Sequence, residues 1–247
     1  MKPAPVVPLT DPVSILMPVC NEADVIQGVL EEWIEDVVRH LPPGSEFVLE
    51  DGNSTDGTRE ILRALAAKHS FLRIIEKPMR DGFAAAARRL YNEARCPWVF
   101  FTDSDGQYIA ADFWKVARYA GQYDLIHGSK IGRKDPWLRR YASAVFNKLT
   151  WFFFGVPYLD VNSAFRLMRT DMVRDILPRT TCMPTLLNTE LLLRAELENY
   201  TIKQVYVLHR VRKFGVSRGL PPSRFAGESW RAFIGLLNIK KSYRTDG

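Results

Sequence analysis

Apolar and polar residues alternate in blocks along this chain, and the block lengths predict an order of strands and helices. Val13–Val19 is an apolar run with Pro18 near its end, which reads as a buried strand. Val25, Ile26, Val29, Leu30, Trp33, Ile34, Val37 and Val38 then recur at helical spacing and predict an amphipathic helix over residues 23–39. Residues 46–49 form a second strand, and Ile61, Leu62 and Leu65 mark a helix that Asp56 can cap. A third strand over 72–75 leads to Arg80-Asp81-Gly82, which opens an alanine-rich helix over 83–94, and a fourth strand covers 98–102. This alternation implies an α/β fold with a mainly parallel sheet and helices on both faces. Further along, the pattern predicts helices over 111–119, 141–153 and 186–197, strands over 125–130 and 205–208, and an amphipathic helix in the tail from Ser223. Residues 160–169 read only as a polar stretch between apolar runs. With no internal repeat and no long linker, the chain is expected to form one domain over 1–247, with a flexible proline-rich start (1–12) and a helical tail (220–247).

Polar clusters follow several of the predicted strands: Asn21-Glu22, Glu50-Asp51 and Asp103-Ser104-Asp105-Gly106-Gln107. In a parallel α/β sheet these strand ends share one edge, where ligands bind. Asp103 and Asp105 with Gln107 offer hard oxygen donors suited to Mg²⁺ or Mn²⁺, which bind through one or two carboxylates plus substrate phosphates. The plainer reading of the pentapeptide is an Asp-rich turn. Neither GxGxxG after the first strand nor GxxxxGK[ST] occurs, which disfavours a dinucleotide fold and excludes a P-loop.

Composition narrows the setting. Hydrophobic residues make up 47% and charged residues 25%, ordinary for a folded domain, and the net charge of +6 suits a polyanionic partner. Cys20, Cys96 and Cys182 are too few and too scattered for a disulfide framework, which points to a reducing compartment and a cytoplasmic location. No stretch reaches the ~18 apolar residues of a membrane span. The aromatic run Trp151-Phe152-Phe153-Phe154 reads as core, with a membrane-facing patch as the alternative because basic residues stand nearby.

Six segments in order resemble the family 2 glycosyltransferases of the GT-A fold, and among them the dolichol-phosphate mannosyltransferase and polyprenyl-phosphate glycosyltransferase group. They are ILMPVCNE (15–22), LEDGNSTDGT (49–58), FFTDSDGQ (100–107), HGSKIGR (127–133), DVNSAFRLMR (160–169) and RKFGVSR (212–218). The resemblance implies that Pro18, Asn21, Glu22, Glu50 and Asp51 line a nucleotide pocket together with Asp103. It implies that Asp103 and Asp105 form a DxD motif holding a divalent cation on the donor diphosphate, with Gln107 as a further ligand. Lys130 stands where the family usually has Arg. Arg139 and Ser143 match a pair that receives an acceptor phosphate, and Arg212 and Arg218 match a segment that closes over phosphate. The chain departs from the pattern at Glu50, at Ala164 in place of Gly, and at Arg218 in place of Lys.

The expected chemistry is inverting transfer of a sugar from a GDP- or UDP-sugar to a polyprenyl phosphate, at or near the cytoplasmic face of a membrane. A phosphate acceptor needs positioning rather than deprotonation. A soluble hydroxyl acceptor is the alternative, and would call for a general base such as Glu190 or Asp160. A non-catalytic nucleotide- or nucleic-acid-binding module would have no use for a metal-holding carboxylate pair, so no nucleic-acid partner is expected.

Overall fold

The computed structural model describes residues 9–131, 137–211 and 222–245, with side chains in the last two stretches over 143–211 and 227–243. Among these residues seven strands make one sheet: β1 (Val13–Val19), β2 (Glu46–Asp51), β3 (Leu72–Glu76), β4 (Trp98–Phe101), β5 (Leu125–Ile131), β6 (Arg166–Arg169) and β7 (Ile202–Leu208). Their order across the sheet is β3-β2-β1-β4-β6-β5-β7. β1 to β4 run parallel, β6 is antiparallel to both neighbours, and β5 and β7 are parallel to each other. Two reversals across β6 restore direction, so β5 runs the same way as β4. The carboxyl ends of β1, β2, β4 and β5 therefore open on one edge.

Among the described residues, eight α-helices complete the fold: α1 (Ile26–Asp36), α2 (Thr58–Ala66), α3 (Phe83–Glu93), α4 (Phe113–Ala117), α5 (Trp137–Phe154), α6 (Thr170–Ile176), α7 (Leu187–Leu197) and α8 (Pro222–Thr245). Phe100 and Phe101, adjacent on β4, show why the sheet is covered on both sides. Phe100 packs on Trp33 of α1 and Phe113 of α4, with centroids 5.5 and 4.9 Å apart. Phe101 packs on Tyr91 of α3 at 5.1 Å. Successive strand residues point to opposite faces, so one dipeptide anchors both helical layers. Trp33 is almost fully buried and also meets Phe47 and Phe165. Truncating it to Ala would cost about 3–5 kcal/mol.

The expected α/β architecture holds, and the differences lie at particular elements. β2 runs on to Asp51, so Glu50 and Asp51 lie in the strand rather than beyond it. Their charges are tolerated there because Arg89 meets Glu50 and Arg59 meets Asp51. α1 occupies only 26–36 of the predicted 23–39, because the chain leaves helical geometry at Val37 (φ −129°) and turns through one short 3₁₀ turn. The helix predicted over 111–119 is a 3₁₀ turn followed by the short α4. α5 begins four residues before its predicted start at 141, and β7 begins three before its own at 205. The polar stretch at 160–169 contains β6, flanked by Arg at both ends, and α6 follows it directly.

Candidate active site

A cavity of about 410 Å³ opens at the carboxyl edge of the sheet. Its lining comes from the β1 end (Pro18, Cys20, Glu22), Gly52 after β2, the loop entering α3 (Arg80, Phe83), the β4 end (Asp103, Asp105), Lys130 of β5, and Asn162 and Ala164 before β6. Six separate chain segments thus converge, as the strand-end rule requires.

The acidic loop is held by its own backbone chemistry. Gly106 takes the left-handed conformation (φ 70°), which lets Asp105 Oδ1 accept the Gln107 N–H at 3.0 Å. A Cβ at Gly106 would also come 3.1 Å from Val29 Cγ2. Gln107 is then clamped to the end of β7. The Arg210 N–H donates to the Gln107 carbonyl at 2.7 Å, and Gln107 Nε2 donates to the Arg210 carbonyl at 3.2 Å. Arg210 in turn forks onto Glu32 of α1 at 2.8 and 2.9 Å. Nothing local in the sequence marks this clamp, whose two ends lie 103 residues apart.

Asp103 is half-buried, and its carboxyl is pushed up to about 7, first by burial, then by the charges of Asp105, Asp160 and Glu22, with Lys130 pulling the other way. Lys130 lies 5.2 Å over the Tyr108 ring. Burial works to lower its pKa, but Tyr108, Asp160 and Asp103 hold the ammonium above its ordinary value. Lys130 is therefore a fixed positive charge facing a carboxylate pair. Tyr108 is itself fixed, stacked on Phe165 at 4.9 Å and bonded to Ser163 Oγ at 3.0 Å.

The chemistry of this donor set fits a divalent cation. The crowding that raises Asp103 is the repulsion a dication would relieve. Among the described residues no cluster of three or more His, Cys, Asp or Glu could hold a metal. Asp103 and Asp105 line the cavity, whereas Gln107 is not among its lining residues and turns its amide Nε2 to the Arg210 carbonyl, so the wall offers two carboxylates and leaves the remaining ligands to phosphate and water, as Mg²⁺ and Mn²⁺ commonly accept.

Other expected site residues sit behind the cavity wall. Asn21 (φ 52°) staples the β1 and β2 loops together: its N–H donates to Ser54 Oγ at 2.8 Å and its Oδ1 accepts from Thr55 N–H at 2.7 Å. Asp56 extends the staple, receiving the N–H groups of Ala23 and Thr58, while Gly57 occupies the helix cap position itself. Asp51 is buried and accepts from Arg59 Nε at 2.6 Å and from Ser54 N–H. Glu50 is buried against Arg89, which also holds Asp81 beside the cavity. Glu190 is buried away from the lining: its two oxygens accept the N–H groups of Cys182 and Met183, and Arg194 pairs with it. Ser143 lies on α5, outside the lining residues. The Arg139 side chain and residues Arg212 and Arg218 lie outside the described residues.

Arg166, in the stretch that reads from sequence as polar and as part of the DVNSAFRLMR segment, is a structural residue. Its guanidinium is fully buried and donates to the carbonyls of Ser163 and Val161, each at 2.6 Å, and of Asn188. It is the internal strut of the loop that presents Asn162 and Ala164. Arg80 and Phe83, which the sequence marks only as the start of an alanine-rich helix, also line the wall. Applying the strand-end rule to β3 would have pointed to their loop.

The comparisons with known proteins agree with this geometry. The family described as Glycosyl transferase family 2 matches residues 14–177. An undecaprenyl-phosphate 4-deoxy-4-formamido-L-arabinose transferase of Serratia proteamaculans is 26% identical over 211 residues, 83% of this chain and 62% of that protein. The chain thus spans less than two thirds of that relative's length. A dolichyl-phosphate hexose transferase of Haloferax volcanii is 30% identical over 207 residues, 82% of this chain and 84% of the relative. In fold, the chain is similar to glucosyl-3-phosphoglycerate synthase of Mycobacterium tuberculosis, solved with Mn²⁺, UDP and phosphoglyceric acid. The TM-score is 0.69 at 19% identity, over 93% of this chain and 78% of that one. With the GT-A fold in place and a family match running from β1 through α6, the chain belongs to glycosyl transferase family 2.

Proposed function

We propose that this chain is a metal-dependent, inverting glycosyltransferase that moves a hexosyl group from a nucleoside diphosphate sugar to a polyprenyl phosphate. The observation that carries the reading is the Asp103–Asp105 pair at the β4 end, facing Lys130 across the cavity. Asp103 and Asp105 would hold Mg²⁺ or Mn²⁺, which when bound neutralises charge developing on the departing diphosphate. Lys130 adds a fixed positive charge on the same side. Pro18, Cys20, Glu22 and Gly52 form the wall for the nucleoside, with Asn21, Glu50 and Asp51 fixing the loops that present it. The donor is a GDP- or UDP-sugar.

An acceptor phosphate is already an anion near neutral pH, so the site has to orient it for in-line attack rather than deprotonate it. Arg139, Ser143, Arg212 and Arg218 are assigned that work. The relatives that act on undecaprenyl and dolichyl phosphate favour the lipid acceptor. A soluble acceptor is the second reading, favoured by the phosphoglyceric acid bound in the structural neighbour. The test is incubation with Mn²⁺ or Mg²⁺ and labelled GDP- and UDP-sugars, with and without polyprenyl phosphate. Label passing into organic solvent only when the lipid is present is the expected result. Transfer to a water-soluble acceptor alone supports the second reading, and absence of turnover with every donor overturns both.

A further inference from the structure

The cavity changes character across the sheet. At the β1 and β2 ends it carries Pro18, Cys20 and Gly52, and at the β4 end it carries the acidic pair, with Lys130 opposite. On the other side of β4 from β1, where β6 begins, Asn162 and Ala164 line it, and Thr185 joins them from the turn before α7. None of these last three side chains is charged. A nucleoside diphosphate sugar has the same order, with the diphosphate between nucleoside and sugar. A donor held by its nucleoside at the β1–β2 ends and by its diphosphate at the β4 end therefore directs its sugar towards Asn162 and Thr185. A neutral polar wall suits hydroxyl groups, whereas a further phosphate would call for cations.

The Asn162 amide is held in one orientation. Thr189, in the first turn of α7 and fully buried, donates from Oγ1 to Asn162 Oδ1 at 3.2 Å. A buried hydroxyl needs a partner, and this bond supplies it. Asn162 itself is exposed, and with Oδ1 engaged it has its Nδ2 hydrogens to offer the cavity. The loop beneath is fixed at several points. The Ser163 N–H donates to the Asp160 carbonyl at 3.0 Å, Ser163 Oγ meets the Tyr108 hydroxyl, and Arg166 reaches the carbonyl of Asn188, the residue before Thr189. Tyr91 of α3 donates to Asn188 Oδ1 at 2.9 Å. Loop and helix turn are thus bound to each other twice, so the amide is preset before any ligand arrives. Thr185 has the complementary chemistry. Its Oγ1 donates to Glu228 of α8 at 3.1 Å, which leaves oxygen lone pairs for a hydroxyl proton.

We propose that Asn162 reads the donor sugar, its Nδ2 donating to one sugar hydroxyl while Thr185 Oγ1 accepts from another, with Thr189 as the positioning residue that fixes the amide. The proposal rests on the glycosyltransferase reading above and deepens it, since it names the wall that tells one hexose from another.

The test is calorimetric titration of the full chain, in Mn²⁺, with UDP, GDP, UDP-glucose, UDP-galactose and GDP-mannose. Asn162→Ala should weaken the best-bound nucleotide sugar about tenfold and leave UDP and GDP unchanged, because the lost bond touches only the sugar. Thr189→Val keeps the side-chain shape, removes the hydroxyl and lies outside the cavity lining. It should weaken the same nucleotide sugar in part, and Thr189→Ser, which restores the hydroxyl, should recover it. Melting curves show that each variant is folded. Equal weakening of nucleotide sugar and free nucleotide, or variants that bind as wild type does, overturns the proposal. So does a wild type that binds UDP or GDP but discriminates among none of the sugars. A wild type that binds no nucleotide brings down the glycosyltransferase reading and this inference with it. Sugar selectivity that follows Asn162 without transfer to polyprenyl phosphate supports this inference and counts against the lipid acceptor alone.

Discussion

Asp103 and Asp105 sit one residue apart at a half-buried strand end, and their mutual repulsion is part of what lifts the Asp103 carboxyl to about 7. Asp105→Asn keeps the side-chain oxygen that accepts the Gln107 N–H but removes one of the two charges. Turnover should fall about a hundredfold or more, as when one electrostatic contact to a developing charge is lost. The melting temperature of the metal-free protein should not fall, because a like-charge neighbour has been relieved. Parallel assays of turnover and thermal denaturation check both halves. Arg166 predicts the opposite pattern. Burial pulls its guanidinium down to about 10, partly offset by Tyr91, Asp160 and Tyr108. Arg166→Met strips the donor from three buried carbonyls and should cost about 3–5 kcal/mol in urea denaturation. The acidic motif was legible because metal chemistry demands particular residue types at short spacing. Arg166 was not, since nothing local marks an arginine whose partners are carbonyls, one of them 22 residues away.

At the scale of elements, β5 depends on a glycine. A Cβ at Gly128 would stand 2.8 Å from the Phe165 carbonyl and 2.9 Å from the Phe165 ring. Gly128→Ala should therefore push β5 away from β6, cost about 1–3 kcal/mol, and weaken donor binding by displacing Lys130 two residues on. Denaturation and nucleotide titration measure the two effects. β1 to β5 were legible because each has an apolar run. β6 was hidden because Arg166 and Arg169 bracket only two apolar residues, and its place between β4 and β5 is a long-range choice. The charged end of β2 was hidden for a related reason: Glu50 and Asp51 become strand residues only once Arg89 and Arg59 arrive from other elements.

At the scale of the whole molecule, acid should loosen the fold through His127. Its ring is fully buried against the Tyr158 ring, and the Asp160 backbone is the one group that favours its charged form. Burial first, and the Arg166 charge next, hold its pKa well below 6.5. Below about pH 6.5 the unfolded chain binds a proton that the folded chain refuses, so stability falls with falling pH by up to about 1.4 kcal/mol per unit until the folded-state pKa is reached. His127→Phe should flatten that slope between pH 6.5 and 5 relative to wild type, as measured by urea denaturation at each pH. The convergence of the strand ends was predictable from the α/β order alone. The clamp from Gln107 to Arg210 and Glu32 was not, since it joins residues up to 178 apart.

That clamp and β7 both draw on chain beyond residue 177, where the family match stops. Cutting there would strip β5 of its outer partner, leaving a row of bare amide and carbonyl groups open to the next molecule. It would also release Gln107 from its anchor. A fragment ending at the family boundary should therefore clump rather than refold.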